Sequence, residues 1–252
     1  MKRFLLLLLS TLLLSPTLKA EEPQQEPIVP YEEDILKHTL STSSPYYYTN
    51  LMLKYKLGTE AMSDMEYYYL YYGFAYQESY RPFADNKALD EMMNVMSGIN
   101  PSNPTVAQLE ALVELGVESM EIDPFNPKVL NLMAYAYGAL DDTHREQQYF
   151  NHLNGILRAI EMSGTGLKEE SPWHILMFSH AYDLVASKGY AYNEGKVLSR
   201  TTVFVPLIRK SGNKTKGYYF DYSRIYMNKP EGYTFKRDRT WQFNNLKPQE
   251  YK

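Results

Sequence analysis

The chain has 252 residues, 44% of them hydrophobic and 22% charged, with a formal net charge of −4 and no cysteine. That composition belongs to a globular protein and excludes disorder of the whole chain. The missing cysteines exclude a disulfide, a zinc–thiolate site, a thiol nucleophile and a lipid anchor on Cys.

Lys2 and Arg3 are followed by an apolar run from Phe4 to Leu14, broken only by Ser10 and Thr11, then Ser15-Pro16 and Leu18-Lys19-Ala20. This is the order of a secretory signal peptide over residues 1–20, too short for a spanning helix, with cleavage expected after Ala20. An envelope or secreted protein is expected. No later stretch stays apolar over the roughly 18 residues that a membrane span requires.

Residues 21–44 read as a partly flexible leader. Glu21 to Pro30 is rich in Glu, Gln and Pro, and Tyr31 to Leu40 suits a short amphipathic helix. Residues 46–57 fit a strand or a helix. Ser63 with Glu66 forms a capping pair that opens a helix over Met65–Tyr80. Further helices are expected over 84–97, after Thr105, over 127–140 and over 143–162, separated by turns at Asn100–Pro104 and Asp123–Pro127.

Helices of this length with tight turns between them predict antiparallel neighbours over residues 45–163. Taking Pro127 as the first position of a unit of about 34 residues places Leu130, Met133, Ala134, Tyr137 and Leu140 in the large, large, small, Tyr, Leu pattern of a tetratricopeptide repeat. Phe150 falls at the aromatic position of the second helix, and Tyr69, Tyr72, Gly73 and Tyr76 repeat the pattern upstream. Glu146 departs from it, and Gly73 to Ala134 spans 61 residues, short of two units.

Beyond Ser163 the periodicity changes. Residues 164–228 are expected to form a small α/β module: a strand within 172–178, a helix over 181–187, and a β-hairpin of 197–209 with 218–227 around the turn at 211–217. Residues 229–252 form a basic, aromatic tail. From Lys188 to the end there are 14 Lys or Arg against 5 Asp or Glu, while residues 21–187 carry −16. Docking of the tail on the acidic helical part is expected.

The expected fold class is α+β, mainly α: a tetratricopeptide-like helical hairpin array followed by a small antiparallel β-hairpin/α module. Ile156-Leu157-Arg158-Ala159-Ile160, Ser163-Gly164-Thr165-Gly166, Ser171-Pro172, Ala181-Tyr182-Asp183-Leu184 and Tyr219-Phe220-Asp221-Tyr222-Ser223 together resemble a family of exported bacterial proteins built on a domain of unknown function. The resemblance covers about residues 45–227. It implies a location in a diderm bacterial envelope, periplasmic or secreted, and the two-part architecture, and brings no activity, ligand or catalytic residue.

No catalytic, cofactor or metal constellation emerges. His144 and His152 lie on one helix face without the further ligands that zinc needs, and read as solvated surface. His174 and His180 read as core or rim. Ser163-Gly164-Thr165-Gly166 lacks the features of a nucleophile elbow or a phosphate loop and reads as a linker. Glu169-Glu170, Asp141-Asp142 and Glu32-Glu33-Asp34 read as caps and solvated turns.

The 24 tyrosines are the unusual feature. Tyr69, Tyr72 and Tyr76 share a helix face assigned to packing. Tyr67, Tyr68 and Tyr71 share another, and with Tyr135 they are the candidate residues of an exposed partner-binding groove. The expected function is therefore non-enzymatic binding or assembly with a peptide or protein partner. An envelope glycan or other anionic surface bound through the basic tail is the alternative, and an unrecognised hydrolase the third reading. Export makes nucleic acid an improbable partner.

Overall fold

A computed structural model of the chain describes residues 26–208 and 215–227. The fold is mainly helical α+β, with one four-stranded mixed sheet. The signal-like residues 1–20, positions 211–214 of the expected turn and the tail from 229 lie outside the described residues.

The helices α1 (Glu32–Leu40) and α2 (Tyr48–Leu57) precede α3 (Asp64–Phe74), so the ambiguous 46–57 stretch is helical from Tyr48 onward. Ser63 and Glu66 form the expected reciprocal cap at the start of α3, satisfying two N–H groups that the first turn leaves open. The helix stops at Phe74, six residues before the expected end, because the chain tightens into turns: Ala75 N–H donates to Tyr72 O and Tyr76 N–H to Gly73 O. Ile28 is also tied down, its N–H donating to Met162 O, so the leader joins the packed body close to where the described residues begin.

Next come α4 (Lys87–Ser97), α5 (Val106–Met120), α6 (Pro127–Ala139) and α7 (Thr143–Met162). Asn86, Thr105, Asn126 and Asp142 cap them with their side chains. From α4 to α7 each helix packs on the next, as expected for hairpins, but α3 does not pack with α4 in the same way. Its main neighbours are α1, α2 and α7. Of the positions assigned to the repeat, Leu130, Met133, Ala134 and Tyr137 are buried, whereas Phe150 is 50% exposed. Tyr149 replaces it, stacking on Tyr137 with ring centroids 5.5 Å apart, so the aromatic contact sits one residue earlier than assigned.

The rest of the chain gives β1 (Trp173–His174), α8 (Phe178–Ser187), β2 (Lys196–Val197), β3 (Thr202–Pro206), β4 (Gly217–Asp221) and α9 (Ser223–Met227). The sheet order is β1-β4-β3-β2. The expected hairpin is present as antiparallel β3 and β4, in register from Thr202 opposite Asp221 to Pro206 opposite Gly217. The expected strand near 172–178 is present as β1, which joins the hairpin by pairing with β4 in parallel through Trp173 and Phe220. The final strand is shorter than expected because Asp221 accepts the Ser223 N–H and turns the chain into α9.

Ser163-Gly164-Thr165-Gly166 is a packed joint. Ser163 Oγ donates to Ile160 O and accepts the His174 N–H, and the Trp173 indole donates to Gly164 O. A Cβ on Gly164 would lie 2.0 Å from Pro172 O, so the backbones meet only because that side chain is absent. One hydrophobic core runs through α1, α2, α3, α7, α8 and the sheet, and a second lies among α4–α7. The boundary at 163/164 thus marks a change of periodicity, with the first core continuous across it.

Candidate functional site

Tyr67, Tyr68 and Tyr71 are buried, with Tyr71 wholly so, which corrects the expectation that they face a groove. From Tyr67 to Ala75 every residue of the segment is buried, because α1 and α2 cover one side and α7 another. A helix that is apolar all round belongs inside a fold. The phenols add reach, since each ring fills the core while its hydroxyl finds a partner at the far edge.

Tyr67 pairs with His152 Nδ1 at 2.9 Å, and Tyr68 donates to Ile28 O at 3.1 Å. Tyr72 donates to His174 O at 2.9 Å, and Tyr80 to Leu176 O at 2.7 Å. Burial pushes the Tyr67 hydroxyl up to about 12, and raises those of Tyr68, Tyr71, Tyr72 and Tyr80 further. These are phenols kept neutral as donors. Tyr135 on α6 is half-buried, with its hydroxyl enclosed and without a hydrogen-bond partner among the described residues.

A polar chain runs through the first core. His180 Nδ1 lies 2.8 Å from the Tyr71 hydroxyl and Nε2 lies 2.9 Å from Asp123 Oδ2. Asp123 also accepts from Phe125 N–H and from the Asn126 side chain. The order of groups resembles an acid–imidazole–hydroxyl relay, but all three side chains are buried and none lines either cleft described below. His152, expected on the solvated surface, is likewise buried, stacked on Tyr55 at 4.0 Å.

Arg224 on α9 closes the other end. It donates to Pro30 O, lies 3.3 Å from His174 Nδ1 and sits over the Tyr72 ring at 5.4 Å. His174 also faces Asp221 at 3.4 Å, and hydrogen bonds from His174 and Ser223 hold that carboxyl below its usual range despite burial. These groups tie leader, sheet and α3 together. Among the described residues no group of three or more His, Asp or Glu could hold a metal ion.

A cleft of about 360 Å³ opens between α2, the end of α3, and α5. Tyr48, Met52 and Tyr55 line one wall, Val117 and Met120 the other, with Phe74 and Tyr149 behind. Lys56 and Glu121 stand among its lining residues, and Val117 is 50% exposed. Tyr48, Met52 and Tyr55 follow helical spacing, so that stripe was present in the sequence. It is not legible as one face from the sequence alone, because 46–57 fits a strand as well as a helix. The lining is largely apolar and includes two methionines, with one charge of each sign.

A smaller cleft of about 180 Å³ is lined by Glu32, Ala75, Tyr76, Arg224 and Met227. Among the described residues no helix is long and apolar enough to cross a membrane.

Neither a curated protein nor a solved structure matches the chain. The resemblance read from the motifs between 156 and 223 is borne out over a longer span: residues 33–231 match the model described as a domain of unknown function (DUF4919), and the chain belongs to that family.

Proposed function

We propose that the protein is an exported, non-enzymatic binding or assembly protein that holds an apolar segment of a peptide or protein partner in the cleft between α2 and α5. The observation that carries this reading is the cleft itself: about 360 Å³, walled by Tyr48, Met52, Tyr55, Val117 and Met120. Such a space accepts one or two large side chains, and methionine walls adapt to different shapes at low cost. Lys56 and Glu121 at the same site suit the polar backbone of a bound segment. The secretory pattern of residues 1–20 supports export, and consecutive packing from α4 to α7 supports a tetratricopeptide-like scaffold behind the α5 wall.

The test is affinity capture from an envelope extract with the full mature chain, compared with Val117→Glu and with Val197→Glu, a change on the exposed edge strand β2. Loss of a partner with Val117→Glu and retention with Val197→Glu is the expected result. Equal recovery by all three proteins would remove the cleft from the reading.

A further inference from the structure

We propose that residues 233–243 of the chain's own C-terminal tail dock in the α2–α5 cleft and compete there with the external partner. The competition rests on the partner reading above; the docking does not.

Three observations meet at this point. The first is position. Met227, the last described residue, lines the small cleft with Ala75 and Tyr76, while Phe74 and Ser79 of the same turn line the large one. Met227, the residue from which the tail continues, thus shares a cleft with residues next in sequence to Phe74 of the large one. Tyr233 lies six residues beyond Met227, a reach of about 20 Å, and Trp241 fourteen, about 46 Å.

The second is chemistry. The segment Tyr-Thr-Phe-Lys-Arg-Asp-Arg-Thr-Trp-Gln-Phe carries four aromatic rings and three cations against one carboxylate. The cleft offers tyrosine and methionine walls of the kind that aromatic rings fill, with S–aromatic contacts available at Met52 and Met120.

The third is charge. α5 carries Glu110, Glu114 and Glu118 and no Lys or Arg, and Glu121 follows at the cleft. All four are exposed, and they alternate with the exposed or half-buried Val106, Val113 and Val117. An acidic, apolar helix face beside a pocket matches a basic, aromatic strand of chain, and the attraction is strongest where both are near the surface at low salt. An external basic peptide has the same chemistry but must be recruited from solution, whereas the tethered segment is present at about millimolar effective concentration.

The cysteine-free sequence makes the test direct. In the full mature chain, Val117→Cys is combined with Phe235→Cys or Trp241→Cys, and the rate of intramolecular disulfide formation is compared with that of Val197→Cys in the same pairs. Both body positions are exposed, so the fold survives the changes, and far-UV circular dichroism checks this. At least one Val117 pair is expected to close about tenfold faster than its Val197 counterpart, with the advantage shrinking in about 1 M salt. Rates equal within about twofold, or disulfides formed only between chains, would overturn the proposal, the latter assigning the cleft to a second copy. If the disulfide forms preferentially while partner capture is indifferent to Val117→Glu, docking stands and the partner reading falls. Preferential capture without preferential closure has the opposite meaning.

Discussion

Tyr71 and His180 are 109 positions apart in the chain and 2.8 Å apart in space, at a bond that joins α3 to α8. The Tyr71 oxygen already accepts the Leu176 N–H at 3.1 Å. Every group is satisfied when Tyr71 donates to Nδ1 and the Nε2–H of a neutral His180 donates to Asp123. The helical part and the α/β part are thus fastened by a buried chain of donors and acceptors with no slack in it.

Removing the hydroxyl tests that fastening. Tyr71→Phe strands both His180 Nδ1 and the Leu176 N–H in the core, and is expected to cost about 1–3 kcal/mol in urea denaturation. Tyr71→Ala adds a cavity and is expected to cost about 3–5 kcal/mol. A change below about 0.5 kcal/mol for Tyr71→Phe would mean that the network carries no stability.

The caps of α3 and α5, the hairpin of β3 with β4 and the family membership were all legible in the sequence, because each rests on neighbours in the chain. Local spacing places Ser63 with Glu66 whatever the tertiary fold does. The role of Tyr67, Tyr68 and Tyr71 was not legible for the opposite reason. Two tyrosine faces of one helix look alike until the partners that cover them are known, and those partners, Ile28, His152 and His180, lie far away along the chain. The exposure of Phe150 in place of Tyr149 has the same origin: a one-residue shift of register on α7 leaves local periodicity almost unchanged.

Asp183 is buried, with Oδ1 3.5 Å from Lys128 and Oδ2 without a hydrogen-bond partner among the described residues. Burial raises its carboxyl above the ordinary range although Lys128 and His180 oppose the shift. For a carboxyl raised by folding, the charged form costs stability at neutral pH, and that cost disappears as pH falls through the folded value. Asp183→Asn is expected to be more stable than the wild type at pH 7 by about 1 kcal/mol, with the gap closing on acidification. Thermal midpoints at pH 7 and pH 4 measure it; a destabilised variant at pH 7 would show that the Lys128 pair outweighs desolvation.

Gly155 on α7 lies against the Tyr67 ring, where an added Cβ would stand 2.4 Å from ring carbons. Gly155→Ala therefore has to displace Tyr67 and its bond to His152, at an expected cost of about 1–3 kcal/mol. Gly98, with right-handed backbone and its nearest neighbour 3.6 Å from a built Cβ, provides the contrast. Gly98→Ala is expected to be neutral or to stabilise by about 0.4–1 kcal/mol. Denaturant midpoints for the two variants should move in different directions, and equal losses would contradict the contact.

His152 gives the chain a pH response. Burial lowers its imidazole to about 4 from an ordinary value near 6.5, and its Nδ1 faces the Tyr67 hydroxyl. The unfolded chain binds the proton first, so the stability due to neutral His152 is complete above pH 6.5, declines as pH falls towards 4 and is fully lost below. The shift corresponds to about 3 kcal/mol across that window. Glu66 and Asp221 are held below their ordinary carboxyl ranges, so their contributions are lost at lower pH, whereas the raised carboxyl of Asp183 acts in the opposite sense, and the part of the slope in the interval from pH 6.5 to 5 that belongs to His152 is the part its substitution removes. Urea unfolding of the wild type should weaken through that interval, and His152→Gln should flatten the slope while lowering stability at pH 7. An unchanged slope in the variant would place the pH response elsewhere.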